Sequence, residues 1–493
     1  MTTPFSTVRF AYLLPFLCLI LATACKPATD RATSMHRYFE EIRNNEALLT
    51  AFFSRMPKGG DLHNHFSGSV YGETYWNYLL RKKPWFDTVS LAYEYDSIKS
   101  INKKGNYKRY VYIQDIIKKG KLATLKQRIL QQWSVKDYVP SDGPSHEHFF
   151  DSFGHLPSGG WHETGIGLRE LKDRAKTEHV QYLELMLKGI PCGIIPAQAD
   201  RYEKLLTLHQ YSDTIKLKPV LDSILHDLRK QNLFACVTDF NTTLQSIHNE
   251  FVPDDDDVTI RYLTYVNRKT DPVKFFTDLL LAFEAAHSNP LIGGVNILSP
   301  EHGDVSMRDY RLHMYMFRYC HHVYPTVKYS MHAGELTLGL VKPEDLTFHI
   351  RDAVYIAGAN RIGHGVDMAY EDNSGELLRY MHDHRVPIEI NLWSNEFILN
   401  VKNNDHPITL YKQHNVPIVI STDDPGILRS NHVHQFVLLA KRYPEISYAD
   451  IKTFIFNSID YSFIKEKETK EKIRASAEAG INTFEEEVLK GKL

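Results

Sequence analysis

From Val180 onward, short β-branched and apolar runs alternate with longer helical ones, and this alternation constrains the fold more than any other feature. Strand-like runs cover Val180–Leu187, Ile260–Val266, Leu291–Leu298, Thr326–Met331, Arg361–Gly365, Pro387–Leu392 and Pro417–Thr422. Helical stretches separate them at Asp200–Asn232, Pro272–Ala286, Arg308–His321, Lys342–Gly358, Gly375–His384 and His406–His414, and helices follow Asn431. With Lys58–His65 as a first strand, there are eight strand–helix repeats. Such repeats favour a parallel sheet, and eight of them favour a closed TIM (β/α)8 barrel. A doubly wound open sheet is the alternative, but no glycine-rich phosphate turn follows the first strand.

At 493 residues the chain exceeds the ~250 of a bare barrel. The excess falls in helices over Met35–Arg55, a helical insertion at about 71–160, and helices at the C-terminal end. Tyr71, Tyr75, Trp76 and Tyr78 in the insertion read as its own core, or as a lid. His146 and His148, in a Gly/Ser/Pro-rich stretch before Phe149 and Phe150, read as structural or lid-forming before they read as metal ligands. A formal charge of −2 offers no basic excess for a nucleic-acid partner. The run Asp254–Asp257 reads as a solvated loop, without the alternation of an EF-hand calcium loop.

The N-terminus reads as a targeting segment. Arg9 precedes an apolar run from Phe10 to Leu21, then Ala22-Thr23-Ala24-Cys25. This is the n-region, h-region and small-residue order of a signal peptide. The position of Cys25 resembles a lipobox, so the expectation is a signal peptide over 1–24 and a lipidated Cys25 anchoring an exported protein to a membrane. A plain signal peptide and an uncleaved anchor are the alternatives, and each exports the chain. Residues 25–57 then form a tether and N-terminal helices, 58–470 the barrel with its insertion, and 471–493 a C-terminal helix. Of five cysteines, Cys192, Cys236 and Cys320 remain for the mature chain. They contain no CxxC pair, and one disulfide among them is possible.

In a parallel barrel all strand C-termini open on one face. The first strand brings His63 and His65, two apart and so on one side. The fifth brings His332 and, past a short turn, Glu335; the sixth His364; the eighth Asp423 and Asp424. Three His and one Asp suit a single zinc ion with one open position. The fourth strand, Val295-Asn296-Ile297-Leu298, has no Lys to bridge two metals.

These motifs resemble the adenosine deaminase family of the amidohydrolase superfamily. The resemblance rests on Leu62-His63-Asn64-His65-Phe66-Ser67-Gly68, His332-Ala333-Gly334-Glu335, Arg361-Ile362-Gly363-His364-Gly365, Glu389 with Ser394-Asn395, and Ser421-Thr422-Asp423-Asp424-Pro425, over roughly residues 56 to 470. The leader, the early insertion and Pro300-Glu301-His302-Gly303 are similar to its secreted growth-factor-like branch, and by that analogy a homodimer is possible. The resemblance implies one Zn2+ per subunit on His63, His65, His332 and Asp423, with Glu335 protonating purine N1 and His364 orienting the attacking water. It also implies that Asp424 meets N7, that the Gly294 amide meets N3, and that Ser67 and His65 contact substrate. Glu389 and Ser394 are expected to support the ligands from behind. Ser67 stands where many members carry Asp at the ribose, so the choice of sugar is open. The implied reaction is hydrolytic deamination of adenosine and 2′-deoxyadenosine. Deamination of another aminopurine, or a non-catalytic nucleoside-binding or signalling role, are the competing readings.

Overall fold

A computed structural model describes residues 30–95, 109–209 and 214–492. The expected signal peptide, Cys25 and residues 26–29 of the tether lie outside the described residues. Eight parallel strands run in chain order around the sheet: β1 (Gly60–His65), β2 (Tyr182–Met186), β3 (Thr259–Asn267), β4 (Ile292–Leu298), β5 (Lys328–Ala333), β6 (Arg361–His364), β7 (Ile388–Ile390) and β8 (Ile418–Ile420). The ring closes just past β8, where a parallel bridge joins Asn64 to Asp423. There the His65 N–H donates to the Asp423 carbonyl (2.9 Å) and the Asp423 N–H to the His63 carbonyl (2.8 Å). The TIM-barrel expectation holds, and the closure itself places Asp423 beside the two histidines of β1.

The strands are buried on both faces, which is why they read as continuous Val/Ile/Leu runs. The barrel interior is packed, with Leu62, Tyr182 and Val419 in one cluster and Met186, Leu263 and Phe463 in another. Phe463 plugs the N-terminal mouth, with the Arg361 guanidinium 3.6 Å over its ring. That guanidinium is itself held between Glu184 and Glu389.

The N-terminal helices, Arg31–Ile42 and Glu46–Arg55, turn Phe39, Phe52 and Phe53 onto Tyr448, Phe436 and Phe484 of the closing helices. The insertion contains the expected helices, among them Gly72–Arg81, Leu122–Gln132 and Ser145–His155. It also holds a three-stranded antiparallel sheet of Trp85–Asp87, Tyr93–Glu94 and Tyr110–Tyr112. Trp76, Phe86 and Trp133 are buried in it and join the cluster that packs the helices around the barrel, so its aromatic residues serve as core. A disulfide joins Cys192, in the segment after β2, to Cys236 in the helix Ala235–Phe251, while Cys320 is a buried free thiol.

Two stretches depart from the periodicity. The expected helix over Lys342–Gly358 is broken into a 3-10 turn (Pro343–Leu346), one α-turn (His349–Asp352) and a π-turn (Ala353–Ala357) ended by Gly358 at φ +79°. The strand expected over Pro387–Leu392 ends at Ile390, and a helix follows at Leu392–Leu399. That helix reads Leu-Trp-Ser-Asn-Glu-Phe-Ile-Leu, apolar at both ends, so its pattern merges with the strand before it.

Candidate active site

The side chains that gather at the barrel mouth all leave strand C-terminal ends. His63 Nε2 and His65 Nε2 lie 3.0 Å and 3.1 Å from His332 Nε2. Asp423 Oδ1 lies 3.1 Å from His65 Nε2 and 3.5 Å from His63 Nε2. Metal–ligand bonds of ~2.0–2.1 Å in a tetrahedron put ligand atoms roughly 3.3 Å apart. The cluster therefore has the spacing of a zinc site. Asp423 Oδ1 is buried and makes no hydrogen bond, as suits an oxygen directed at a cation. His364 also comes within reach: one ligand atom each from His63, His332, His364 and Asp423 lies within 4.8 Å of the others. His65, Asp423 and Asp424 form a second, overlapping group.

The groups behind the cluster aim it. Glu389 Oε2 takes His63 Nδ1 at 2.7 Å, and Asn296 Oδ1 takes His332 Nδ1 at 2.8 Å. Each acceptor draws the ring proton to Nδ1 and leaves the Nε2 lone pair facing the cluster. Burial pushes the Glu389 carboxyl up, but Arg361 and His63 outweigh it and hold it down at about 2. The Ser394 hydroxyl donates to Asp423 Oδ2 (2.6 Å). Asp423 has φ +65° and His364 φ +68°, so both sit in left-handed backbone that L-residues seldom adopt. Backbone strain of this kind concentrates at working sites.

Glu335 and Asp424 stand beside the cluster. Burial, then the charges of Asp423 and Glu301, pushes the Glu335 carboxyl well above the usual range. Burial, then Asp423, does the same to Asp424. In both, the surroundings favour the protonated, donating form. Burial keeps His364 neutral, down at about 3, and Asn395 Nδ2 donates to its Nδ1 at 2.9 Å. A cavity of about 440 Å³ opens from these residues. Met186 and Tyr265 lie along it with Ser67. Ser299, Pro300, Asn267 and Lys269 form one wall, and Phe149, Phe150, Asp151 and Phe153 of the helix Ser145–His155 another. That helix, which carries His146-Glu147-His148, covers one side of the cavity. His148 itself is structural, with its Nε2 3.1 Å from the Ser134 carbonyl.

Gly68 packs directly beneath Asp424: a Cβ there would overlap Asp424 Oδ1 and lie 2.8 Å from the Asp424 Cβ. Gly68→Ala is therefore expected to push Asp424 aside. Misplacement of about 1 Å can cost on the order of 10²-fold. A fall of that order in kcat/KM, with metal content unchanged by elemental analysis, is the expected result.

One assignment is corrected. Gly294 does not line the cavity; it sits in the body of β4, paired with Leu263 and Lys328. A Cβ on it would meet the Lys328 carbonyl (2.5 Å) and Phe463 (2.8 Å). Its bareness serves the packing of the N-terminal plug. Leu298 at that strand end and Ser299 just past it, held at φ +89°, do reach the cavity. Sequence reasoning gave no site role to Asn296, Asn395, Arg268 and Glu301, which touch the histidines or the turn to Glu335. Asn296 had a usable signal, since it lies two residues before the end of an inward-facing strand.

Comparison with known proteins places the chain. The family model described as adenosine deaminase matches residues 222–478, just over half of the chain. An adenosine deaminase from Clostridium kluyveri is 32% identical over 157 residues, covering 32% of this chain and 41% of the relative. The match thus spans about two fifths of the length of such curated relatives. Among solved structures, an adenine deaminase from Arthrobacter aurescens aligns with TM-score 0.53 and 17% identity over 86% of this chain and 99% of its own. An N6-mAMP deaminase from Arabidopsis aligns with TM-score 0.53 and 18% identity over 87% and 99%. At such identities the structural likeness concerns the barrel alone, whereas the family model spans the sequence from within the helix Thr214–Lys230 through β3 to β8, and on this ground the chain belongs to the adenosine deaminase family.

Proposed function

We propose that the chain is a zinc-dependent aminohydrolase that converts adenosine, and 2′-deoxyadenosine, to the corresponding inosine and ammonia outside the cytoplasm. The observation that carries this reading is a buried Glu335 carboxyl beside a buried cluster of three His and one Asp, at the end of a nucleoside-sized cavity. His63, His65, His332 and Asp423 would hold the metal. Zinc bound there supplies a water activated near neutral pH.

The remaining roles belong to the chain's own groups. Glu335 gives its proton to purine N1 as oxygen adds to C6. His364, neutral and 3.9 Å from Asp423 Oδ2, hydrogen-bonds the incoming oxygen. Asp424, protonated by its surroundings, donates to N7, which offers only a lone pair. One proton of the attacking water passes to the amino nitrogen and the other restores Glu335; the bond from C6 to that nitrogen breaks, the nitrogen leaves as ammonia, and C6 keeps the oxygen as a carbonyl. The phenylalanines of the helix Ser145–His155 keep bulk water from the reacting centre.

Export is supported by the Phe10–Leu21 leader with Cys25 and by the Cys192–Cys236 disulfide, since such bonds persist in oxidising compartments. Lipidation of Cys25 would anchor the protein. A second reading, another aminopurine as substrate, is favoured by Ser67, which brings a neutral hydroxyl to the cavity. The test is a panel of aminopurine bases, nucleosides and nucleotides offered to the zinc-loaded protein. Adenosine and 2′-deoxyadenosine are expected to lead it. Preference for a base or a nucleotide would replace the substrate assignment, and inertness towards every aminopurine would remove the reaction.

A further inference from the structure

We propose that Glu301, braced by Arg268, is a positioning residue that sets the Glu335 carboxyl by gripping the main chain between His332 and Glu335. This rests on the reading of Glu335 as proton carrier. Glu301 follows β4 and is 1% exposed. Its Oε2 accepts the Glu335 N–H at 2.9 Å, and its Oε1 accepts the Gly334 N–H at 3.2 Å and contacts His349 Nδ1 at 2.5 Å. Arg268, fully buried after β3, donates from Nη2 to the His332 carbonyl at 2.8 Å. Its Nη1 lies 3.7 Å from Glu301 Oε1. One buried ion pair thus holds both ends of the four-residue turn that separates a metal-cluster histidine from the acid.

The rest of the turn is fixed from behind. Gly334 has φ +74°, and a Cβ on it would collide with Asp367 Oδ1 and lie 2.8 Å from Ile350. His349 stacks on Tyr310 with ring centroids 3.8 Å apart, and the Tyr310 hydroxyl donates to the His349 carbonyl at 2.7 Å. The strut is therefore anchored in the helix Asp304–Val323. The Glu335 carboxyl, by contrast, makes no hydrogen bond to a described residue; a ring nitrogen of His364 stands 3.6 Å away. Its direction is inherited from its main chain. A buried charge pair is a costly way to stabilise a fold. A carboxylate is nevertheless the group that can accept two neighbouring amides of one turn at once.

The test compares wild type, Glu301→Gln and Glu335→Gln, each zinc-loaded. In Glu301→Gln one oxygen becomes an NH2 that cannot accept an amide. The expected kcat for adenosine falls about 10–100-fold, the scale of losing a partner one shell out, with KM within about threefold. Zinc content and calorimetric affinity for inosine should stay at wild-type values. Affinity for purine riboside, which can take up water at C6 and a proton at N1 but has no amino group to lose, should fall with kcat. Should Glu301→Gln not fold, His349→Gln, which loosens the same carboxylate, is expected to show the same pattern with a smaller loss. An active wild type, a dead Glu335→Gln and a Glu301→Gln within twofold of wild type would overturn this assignment alone. So would parallel losses of zinc, inosine binding and rate, which mark general damage. A Glu335→Gln as active as wild type would overturn the role of Glu335, and this assignment with it.

Discussion

Replacing Glu335 by Gln is expected to leave the protein folded and metal-loaded while lowering kcat by about 10²–10⁴-fold, the usual contribution of a positioned acid. The substitution keeps size and shape, and the backbone N–H of residue 335 still meets Glu301. What it removes is a transferable proton. In the wild type that proton is held by burial and by the charges of Asp423 and Glu301. A drop of 10³ corresponds to about 4 kcal/mol of transition-state stabilisation. KM should change little, because N1 is barely basic before C6 is attacked. Steady-state kinetics with elemental zinc analysis on the same preparation checks both halves. Retained activity, or activity lost together with zinc, would contradict the role.

Removing a ligand should be more damaging still. His332 is the hub of the cluster, with its Nε2 3.0 Å from that of His63 and 3.1 Å from that of His65. His332→Ala leaves those groups and Asp423 without their common partner. The expected loss exceeds the roughly 10–100-fold that removal of an outer partner costs, and turnover should fall to background. Stability carries a second signature. A metal at 1,000 times its Kd stabilises the folded state by about 4 kcal/mol. Chelation should therefore lower the wild-type Tm and leave His332→Ala unmoved. Equal shifts in both proteins would place the metal elsewhere.

Much of this site was legible before any coordinates. Histidines two apart on a strand share a face, and a parallel barrel brings strand ends together, so His63, His65, His332, His364 and Asp423 could be grouped from spacing alone. The barrel closure then adds what spacing cannot: Asp423 joins β1 through main-chain bonds to His63 and His65. The misreading of Gly294 has a different origin. The family resemblance assigned its amide to N3, but nothing local in the sequence says what a bare strand position approaches, and here the neighbour is Phe463 at the opposite mouth. Glu301 and Arg268 escaped because their meaning lies in main-chain groups more than thirty residues away. Left-handed Ser299, His364 and Asp423 carry no local mark either, since non-glycine residues enter that region too rarely for their identity to flag it.

The most direct test of the account is to run adenosine with the zinc-loaded protein in ¹⁸O-labelled water and measure the product and the released nitrogen together. Hydrolytic deamination predicts inosine carrying one ¹⁸O at C6 and one equivalent of ammonia, with both signals abolished by chelation and restored by zinc. Unlabelled product, or no ammonia from adenosine or any other aminopurine after zinc reconstitution, would contradict it.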